Sequence, residues 1–467
     1  PASTSSPATS TSQLFTALLS TPDVVRDLLA EFPDIVGSGF SDLKPTHGVQ
    51  HHISTRGQPV FAKARRLDPD KLAIARAEFQ KMEDAGIIRR SNSPWASPLH
   101  MVPKGDGSWR PCGDYRALNN VTVPDRYPVP NIHDFSNRLD GCRYFTKLDL
   151  VKGYYQVPMA KGDIAKTAVI TPFGLFEWLA MPFGLRNAGN TFQRMMDRLG
   201  VNLPFVFIYL DDVLIASPDL PTHVRHLRLV LERLRSFGLV MNPAKCLFAQ
   251  AEVPFLGHVV SVAGVAPLPG HLQTIKDFPP PVDKPALQRF LGLLNFFRRF
   301  LPSAAAFLRP LTDALKASSD PFTWSSSMQA SFDQAKSALL SASSLKHPVP
   351  GAEVSLAVDA SGSHVGGVLQ QRVGGHWAPM GFFSRKLSSA ESNYSTFDRE
   401  LLAAYSSLRH FRFMLEGRSF TLFTDHRPLT SALFRVSPPW SARQQRHLAF
   451  VAEFTSDIQY LPGPDNQ

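Results

Sequence analysis

Apolar residues recur along the chain at two spacings, one typical of helices and one typical of strands. The segment "PDKLAIARAEFQKMEDAGII" begins at Pro69, stops at Gly86 and has the period of a helix. A second helix is predicted for "PTHVRHLRLVLERLRSFG", which ends at Gly238 and has one apolar face. That face consists of Val224, Leu227, Leu231 and Leu234. A third helix is predicted for "GNTFQRMMDRL".

Extended patterns surround three aspartates. "HMVPKGDGSWRPCGDYR" predicts a hairpin, and "RYFTKLDLVKGYYQVPM" predicts a strand with Asp149 towards its end. In "FVFIYLDDVLIAS", Asp211 and Asp212 occupy the bend of a hairpin between two apolar runs. Adjacent carboxylates repel each other and are costly to desolvate, so a solvated tip is the simplest explanation. The apolar flanks argue against that explanation, because a solvated tip does not need them.

Proline-rich breaks divide the chain into four predicted regions. "FPPPVDKPALQ" precedes the helical pattern "ALQRFLGLLNFFRRFL", and "KHPVPGAE" precedes the order strand, strand, strand, helix, strand, helix. The second pattern predicts a separate α/β domain. The predicted regions are a low-complexity, disordered segment with a short helix (1–44), a large first region (45–266), a helical region (267–350) and the α/β domain (351–467).

The composition narrows the classes of partner. A chain of 467 residues has room for about three domains. Its net charge of +10 favours a polyanionic partner such as nucleic acid. Three widely spaced cysteines indicate neither a zinc site nor a disulfide framework. No apolar run approaches the roughly 18 residues of a membrane helix, so no membrane partner is expected.

Two sets of carboxylates predict metal sites. Asp149 and the pair at 211 and 212 would meet if their strands were neighbours in one sheet. Divalent cations make such a cluster tolerable, and two Mg²⁺ ions about 3.5–4 Å apart suit phosphoryl transfer.

The second set lies near a strand middle, a helix start and a strand end, at Asp359, Glu400 and Asp425. Their convergence would suit phosphodiester hydrolysis by two metal ions. Taken singly, Glu400 could instead stabilise the helix dipole and Asp425 could be an N-cap.

Five motifs then appear in a familiar order: "SPWASP", "LDLVKGYYQV", "MPFGLRNAGNTFQ", "YLDD" and "FLGH". Over residues 45–467 the chain resembles the reverse transcriptases of gypsy-type long-terminal-repeat retrotransposons. The resemblance implies an α+β right-hand polymerase with fingers and palm (45–266) and a thumb and connection region (267–350), followed by an RNase H-like domain. It implies DNA synthesis from dNTPs on an RNA template or a DNA template, with a DNA primer. It also implies two Mg²⁺ ions per active site with Mn²⁺ as a substitute, and an RNA:DNA hybrid as nuclease substrate.

The resemblance also assigns roles to single residues. The two carboxylate sets become the metal-binding catalytic residues of the polymerase and of the nuclease. Lys104 and Arg110 clasp the incoming triphosphate, and Tyr154 excludes a ribose 2′-OH. Phe183 and Gly184 pack against the nascent base pair.

Two further assignments follow from the same family. Lys245 protonates the leaving pyrophosphate, although a surface lysine would have the same sequence context. The primer grip consists of Phe255, Leu256, Gly257 and His258. The resemblance places the protein in cytoplasmic virus-like particles, with entry into the nucleus during integration.

The chain departs from the family pattern twice. Gly189 and Asn190 replace the usual proline and alanine of "NAPATFQ", which puts template positioning in doubt. The family's fourth nuclease carboxylate would lie about three residues beyond Gln467. We therefore expect weak or no RNase H activity from this chain.

Two other functions stay open at this point. One is a domesticated nucleic-acid-binding protein that has lost catalysis, which the intact polymerase carboxylates and basic residues argue against. The other is an RNA-dependent RNA polymerase, which Tyr154 and "YLDD" argue against, because such enzymes favour "GDD" and a smaller gate residue.

Overall fold

The structure, a computed structural model, describes residues 21–103, 107–316, 322–434 and 440–463. The predicted disorder of the first twelve residues and the predicted triphosphate contact Lys104 lie outside these ranges. The chain divides into two compact units. The first contains Pro1–Phe135 and Gly141–Leu256, and the second contains Ser136–Asp140 and Gly257–Gln467.

Within the described residues, the first unit contains an antiparallel sheet of four strands in the order β7-β8-β4-β9. The strands are β4 (Tyr144–Asp149), β7 (Val206–Tyr209), β8 (Asp212–Ser217) and β9 (Leu247–Gln250). Its helices are α4 (Ala188–Gly200), which contacts β7, and α5 (Leu220–Phe237), which contacts β8. In this sheet Asp149 is the register partner of Asp212. The pairing of β4 with β8 therefore places Asp149 and Asp212 side by side at one edge of the sheet.

The second sheet of this unit has the order β1-β6-β5-β2-β3 among the described strands. Its strands are β1 (Ile88–Arg90), β2 (Ser97–Pro103), β3 (Trp109–Gly113), β5 (Val169–Thr171) and β6 (Gly174–Trp178). The helices α2 (Pro69–Asp84) and α3 (Arg116–Val121) flank it in sequence. Phe79 of α2 packs edge-on against Phe173 and Phe176, which joins the helix to the sheet. The last strand of the unit is β10 (Glu252–Phe255).

Residues 21–62 form an extended segment along this unit, which we call the N-terminal strap. It begins with α1 (Asp23–Ala30), and Glu31 forms a bidentate ion pair with Arg228 of α5. Isolated bridges then join Val36 to Met241 and His51 to Met159. The strap is thus attached to the four-stranded sheet region at several separate points.

The second unit begins with the antiparallel hairpin of β11 (His258–Ser261) and β12 (Gly264–Pro267). The α-helices described after it are α6 (Pro269–Lys276), α7 (Lys284–Phe296), α8 (Ala304–Phe307), α9 (Arg309–Lys316) and α10 (Ser326–Leu340). Phe290 of α7 and Phe332 of α10 have ring centroids 4.5 Å apart. These two helices are thus joined by an aromatic contact.

The described strands of the rest of this unit form a sheet in the order β15-β14-β13-β16-β17. They are β13 (Val354–Ala360), β14 (His364–Val373), β15 (His376–Lys386), β16 (Thr421–Thr424) and β17 (Ile458–Tyr460). The helices are α11 (Thr396–Leu415), α12 (Arg427–Thr430) and α13 (Ala442–Phe454). β13 and β16 are parallel, so their carboxyl ends lie at the same edge of the sheet.

Most predicted elements are present. The helix opened by Pro69, the helix ended by Gly238 (φ 62°) and the hairpin around the aspartate pair agree with the structure. The sequence did not predict α13 and β17. None of the described helices is long and apolar enough to cross a membrane.

Candidate active sites

The first candidate site lies where β4 ends and the β7–β8 hairpin turns. Asp149 is the last residue of β4, and Asp212 is the first residue of β8. Asp211 lies in the turn with Leu210, whose φ of 53° is unusual for a residue with a side chain. Burial raises the pKa of both Asp149 and Asp211. Their charged forms are therefore disfavoured unless cations approach them.

Asp149 and Asp211 line one cavity of about 500 Å³. Arg110, Lys152 and Lys245 line the same cavity, which brings three cations to the three carboxylates of Asp149, Asp211 and Glu78. The remaining lining residues are Ser38, Phe40, Met82, Pro111, Leu150, Val151, Gly153, Tyr155, Phe183 and Asn242. The cavity is thus lined by charged, polar and aromatic side chains.

The sequence predicts that the three aspartates come together, and the structure places Asp149 and Asp211 in the wall of one cavity that Asp212 does not line. The side-chain carboxylate of Asp212 pairs with Lys147 Nζ at 3.1 Å, and Asp149 Oδ1 lies 4.0 Å from Lys245 Nζ. Among the described residues, the three do not form a cluster of ligand atoms within 4.8 Å of one another. Lys147 lies two residues before Asp149 on β4 and so shares its face, and its ammonium group partly compensates the charge of Asp212.

Hydrogen bonds fix the backbone on both sides of the cavity. The Asp149 N–H donates to Cys246 Sγ (3.3 Å), and its carbonyl accepts from Asn242 N (2.8 Å). Burial raises the pKa of the Cys246 thiol to about 12, so the sulfur stays neutral. Gln193 Oε1 accepts from Leu210 N at 2.8 Å, and Gln193 Nε2 donates to Ile208 O at 3.2 Å. Gln193 therefore holds the turn that carries Asp211.

Of the described residues predicted to contact the nucleotide, Arg110, Phe183 and Lys245 line this cavity, whereas Tyr154 and Gly184 do not. Arg110 lies with its guanidinium carbon 5.3 Å from the centre of the Phe183 ring. Tyr154 is half-buried and stacks on Phe183 at 4.9 Å, and burial raises the pKa of its phenol. Gly184 has a φ of 92° and accepts a hydrogen bond at its carbonyl oxygen from Asn119 Nδ2 (2.8 Å).

The departure at positions 189 and 190 falls at the start of α4. A Cβ at Gly189 would make ordinary contacts of 3.6 Å with Leu210 and with the Tyr154 hydroxyl. Asn190 Nδ2 donates to the Tyr127 carbonyl oxygen at 2.7 Å. Asn190 thus adds a hydrogen bond that alanine could not form, and the glycine leaves open space beside Tyr154.

The four predicted primer-grip residues form a tight connection. Phe255 and His258 are buried, whereas Leu256 and Gly257 are half-buried. Leu256 and Gly257 have positive φ angles of 46° and 78°. Any contact of this segment with a primer would therefore come from Leu256 and the backbone at 257, and the role stays a prediction.

The second candidate site lies at the carboxyl ends of β13 and β16. Val358 and Thr424 are register partners in this parallel pair, so Asp359 and Asp425 follow side by side. Glu400 of α11 joins them, and one carboxylate oxygen of each of the three lies within 4.8 Å of the others. Asp359 is one residue from the strand end rather than in the strand middle, because β13 ends at Ala360 and the chain turns at Ser361, whose N–H donates to the His364 carbonyl oxygen (2.9 Å).

The electrostatics of this trio favour a bound cation. Glu400 is 3% exposed, and its Oε2 has no hydrogen-bond partner among the described residues. Burial, with Asp425 and Asp359 nearby, raises the pKa of Glu400 to about 8. The N-cap of α12 is His426, so the N-cap explanation for Asp425 is wrong. Oxygen ligands at this spacing fit a divalent cation.

Two protein families match separate parts of the chain. The family "Reverse transcriptase (RNA-dependent DNA polymerase)" matches residues 102–260, which include Asp149, Asp211 and Asp212. The family "RNase H-like domain found in reverse transcriptase" matches residues 324–422, which include Asp359 and Glu400. The fold and its two sites thus define a reverse transcriptase with an attached RNase H-like domain.

The relatives narrow this class. A retrovirus-related Pol polyprotein from transposon opus of Drosophila melanogaster is 35% identical over 96% of this chain and 46% of its own length. The Tf2-3 transposon polyprotein of Schizosaccharomyces pombe is 33% identical over 94% of this chain and 34% of its own length. The chain belongs to the family of retrovirus-related Pol polyproteins of retrotransposons, as predicted. It spans less than half the length of these relatives.

Solved structures confirm the predicted fold class. A foamy viral protease-reverse transcriptase in complex with double-stranded DNA is similar with a TM-score of 0.88 at 18% identity, over 99% of this chain and 83% of that chain. The same viral protein in complex with an RNA/DNA hybrid is similar with a TM-score of 0.80 at 20% identity, over 100% of this chain and 65% of that chain. At such low identity these likenesses show the fold alone. The predicted boundaries within each unit stay predictions.

Sequence reasoning missed several residues of the first site. Gln193 is fully buried in the "TFQ" motif, and its hydrogen bonds to the turn depend on a contact across 17 positions. Phe40 and Ser38 reach the cavity from the strap, far from any of the five motifs. The one available signal was Gln193 itself, a polar residue among the apolar positions of a predicted helix.

Proposed function

We propose that this chain is an RNA- and DNA-templated DNA polymerase that extends a primer with dNTPs. The observation that carries the proposal is the cavity in which Asp149 and Asp211, both desolvated, face Arg110 and Lys245. Paired carboxylates that need cations, next to cations that suit phosphates, are what templated phosphoryl transfer requires. The match of this region to reverse transcriptases supports the same function.

The donor sets of both sites suit Mg²⁺, with Mn²⁺ as a substitute. Asp149 and Asp211 would hold metal in the polymerase site, since their raised pKa values indicate carboxylates without enough compensating charge. Asp359, Glu400 and Asp425 would hold it in the nuclease site, where the orphaned Oε2 of Glu400 lacks any other partner among the described residues. Bound metal ions would activate the attacking oxygen and stabilise the leaving group.

The chain's own residues then position the substrate. Arg110, Lys245 and, outside the described residues, Lys104 would bind the triphosphate. Tyr154, held between Phe183 and Phe192 by ring contacts of 4.9 and 5.3 Å, would exclude a ribose 2′-OH. The ring cannot move aside without breaking both contacts, so it suits a steric gate.

The nucleic-acid substrates are proposed on charge and similarity. The net charge of +10 favours binding through backbone phosphates, with an affinity that falls as salt rises. The solved relatives are described as complexes with double-stranded DNA and an RNA/DNA hybrid. We propose the same substrates here, with the RNase H-like domain acting on the RNA strand of the hybrid.

Primer extension on RNA and DNA templates, with dNTPs and with rNTPs, tests this function. The wild-type chain should extend with dNTPs and discriminate against rNTPs, and Tyr154→Ala should raise rNTP use by about tenfold or more. Phe413→Ala, at an exposed aromatic of the second unit, should leave the ratio unchanged. Template–primer binding without any dNTP incorporation would instead favour a non-catalytic nucleic-acid-binding protein.

A further inference from the structure

The cavity of the polymerase site has one wall that the five sequence motifs do not supply. Ser38 and Phe40 of the N-terminal strap line the same cavity as Asp149 and Asp211. Lys152, three residues after Asp149, lines it beside them. A segment that is remote in sequence thus reaches the predicted nucleotide site.

Close packing fixes this part of the strap. Gly37 N donates to the Met241 carbonyl oxygen at 3.1 Å. A Cβ at Gly37 would lie only 2.7 Å from Asp42 Oδ2 and from Val240 Cγ1, so a side chain there would displace one of these neighbours. Asp42 Oδ2 accepts hydrogen bonds from the backbone of Ser38 (2.9 Å) and of Gly39 (3.0 Å). The turn that leads to Phe40 is therefore rigid.

Phe40 in turn supports Lys152. The ring of Phe40 packs edge-on against Tyr155 at 5.4 Å, and Lys152 Nζ lies 4.7 Å from the centre of the Phe40 ring. Lys152 is exposed and has a left-handed backbone (φ 50°), which its Cβ makes unfavourable. A cation–π contact holds an ammonium group in place without neutralising its positive charge, so the group can still attract an anion.

We propose that Lys152, held over Phe40, is a further contact for the triphosphate of the incoming dNTP and for the pyrophosphate product. The inference rests on the proposed polymerase function and deepens it. In the cavity, Asp149, Asp211 and Glu78 are matched by Arg110, Lys245 and Lys152. Metal ions bound to the aspartates would leave these cations to meet the negative charge of the phosphates.

Single-turnover incorporation as a function of dNTP concentration tests the role of Lys152. Lys152→Met keeps the aliphatic contact with Phe40 and removes the charge. We expect it to raise the dNTP concentration for half-maximal rate about tenfold, with less than about a threefold change in maximal rate. Inhibition by inorganic pyrophosphate should weaken by a similar factor. Lys152→Arg should stay within about threefold of wild type, and Phe40→Leu should raise the half-maximal concentration about threefold.

Lys161→Met is the matched control, because Lys161 is an exposed lysine in the next turn and does not line the cavity. It should behave as wild type, and the template–primer Kd should be the same for all variants. Unchanged dNTP and pyrophosphate dependence in Lys152→Met would overturn the inference while wild-type incorporation still supports the polymerase. A rise in the template–primer Kd instead would make Lys152 a nucleic-acid contact and would also overturn it. If the wild-type chain incorporates no dNTP, the function and the inference both fail.

Discussion

Glu400 shows how one buried carboxylate can report on metal binding. Because burial raises its pKa to about 8, the folded chain binds this proton more tightly than the unfolded chain does. Without divalent metal, the melting temperature should therefore fall as the pH rises from about 5 to about 8. Glu400→Gln should remove much of this dependence and raise the melting temperature at the upper end. Differential scanning calorimetry in EDTA measures both.

Adding Mg²⁺ supplies the control for this prediction. The ion should raise the melting temperature of the wild type at the upper end of the range, because it stabilises the charged carboxylate. The ion should raise the melting temperature of Glu400→Gln by less, because this variant has a neutral amide in place of one charged carboxylate ligand. Equal Mg²⁺ effects on the two proteins would contradict a cation site at the trio.

Some properties of single site residues could be predicted from the sequence, and others could not. The carboxylates were predictable, because charged residues at the ends of apolar strands are costly without cations. The pairing of Asp212 with Lys147 was not, because it depends on which face of β8 the side chain occupies. The raised pKa of Glu400 was also beyond the sequence, since it arises from burial and from neighbours 25 and 41 positions away.

The β7–β8 turn is the element on which the polymerase site most depends. Gln193→Leu removes the acceptor for Leu210 N and leaves that half-buried group without its side-chain partner, at a cost of about 1 kcal/mol. We expect the maximal incorporation rate to fall about tenfold or more, since Asp211 would lose its fixed position. Rapid-quench kinetics measure this, with Gln80→Leu on the exposed face of α2 as the control. A wild-type rate in Gln193→Leu would show that the turn holds its geometry unaided.

The start of α5 carries a buried histidine that should make stability depend on pH. His223 Nε2 forms a hydrogen bond with the Thr146 hydroxyl (2.7 Å), and His223 Nδ1 forms one with the Ser217 hydroxyl (2.8 Å). These bonds join α5 to β4 and β8. Burial lowers its pKa to about 4, so the unfolded chain binds the proton more readily. Stability should therefore be lost as the pH falls from about 6.5 towards 4.

Urea unfolding of wild type and His223→Gln at two pH values measures this contribution. His51 has a similarly lowered pKa and contributes equally to both proteins. The difference between their slopes of unfolding free energy against pH therefore reports on His223. The variant should be less stable near neutral pH and should lose less stability on acidification. Parallel pH slopes in the two proteins would assign the acid sensitivity to other groups.

Elements with a strong period were predictable, and elements without one were not. The helix ended by Gly238 has an apolar face and a glycine at its end, so its bounds follow from the sequence. In α13 only Leu448 and Val451 are buried, which gives no clear stripe. β17 is three residues long and is held by β16, so its conformation depends on a partner distant in sequence.

At the scale of the whole molecule, the order of the domains could be predicted from the sequence, because each domain contains a separate set of carboxylates with its own spacing. The two matched families cover separate parts of the chain, and each contains carboxylates of one site. The sequence could not predict that the strap forms a wall of the polymerase cavity, because the residues that line this cavity are spread from Ser38 to Lys245 along the chain. Long-range packing of this kind leaves no local periodicity to read.

The rate of single-nucleotide incorporation on an RNA template is the measurement that tests the central claim most directly. The claim is that the cavity of Asp149 and Asp211 is the polymerization centre. With Mg²⁺ and dNTP, the wild type should incorporate, and Asp211→Asn should lose on the order of 10³-fold in rate. Asp212→Asn should lose less, because Asp212 faces Lys147 outside that cavity. A wild-type rate in Asp211→Asn, or no incorporation by the wild type, would contradict the claim.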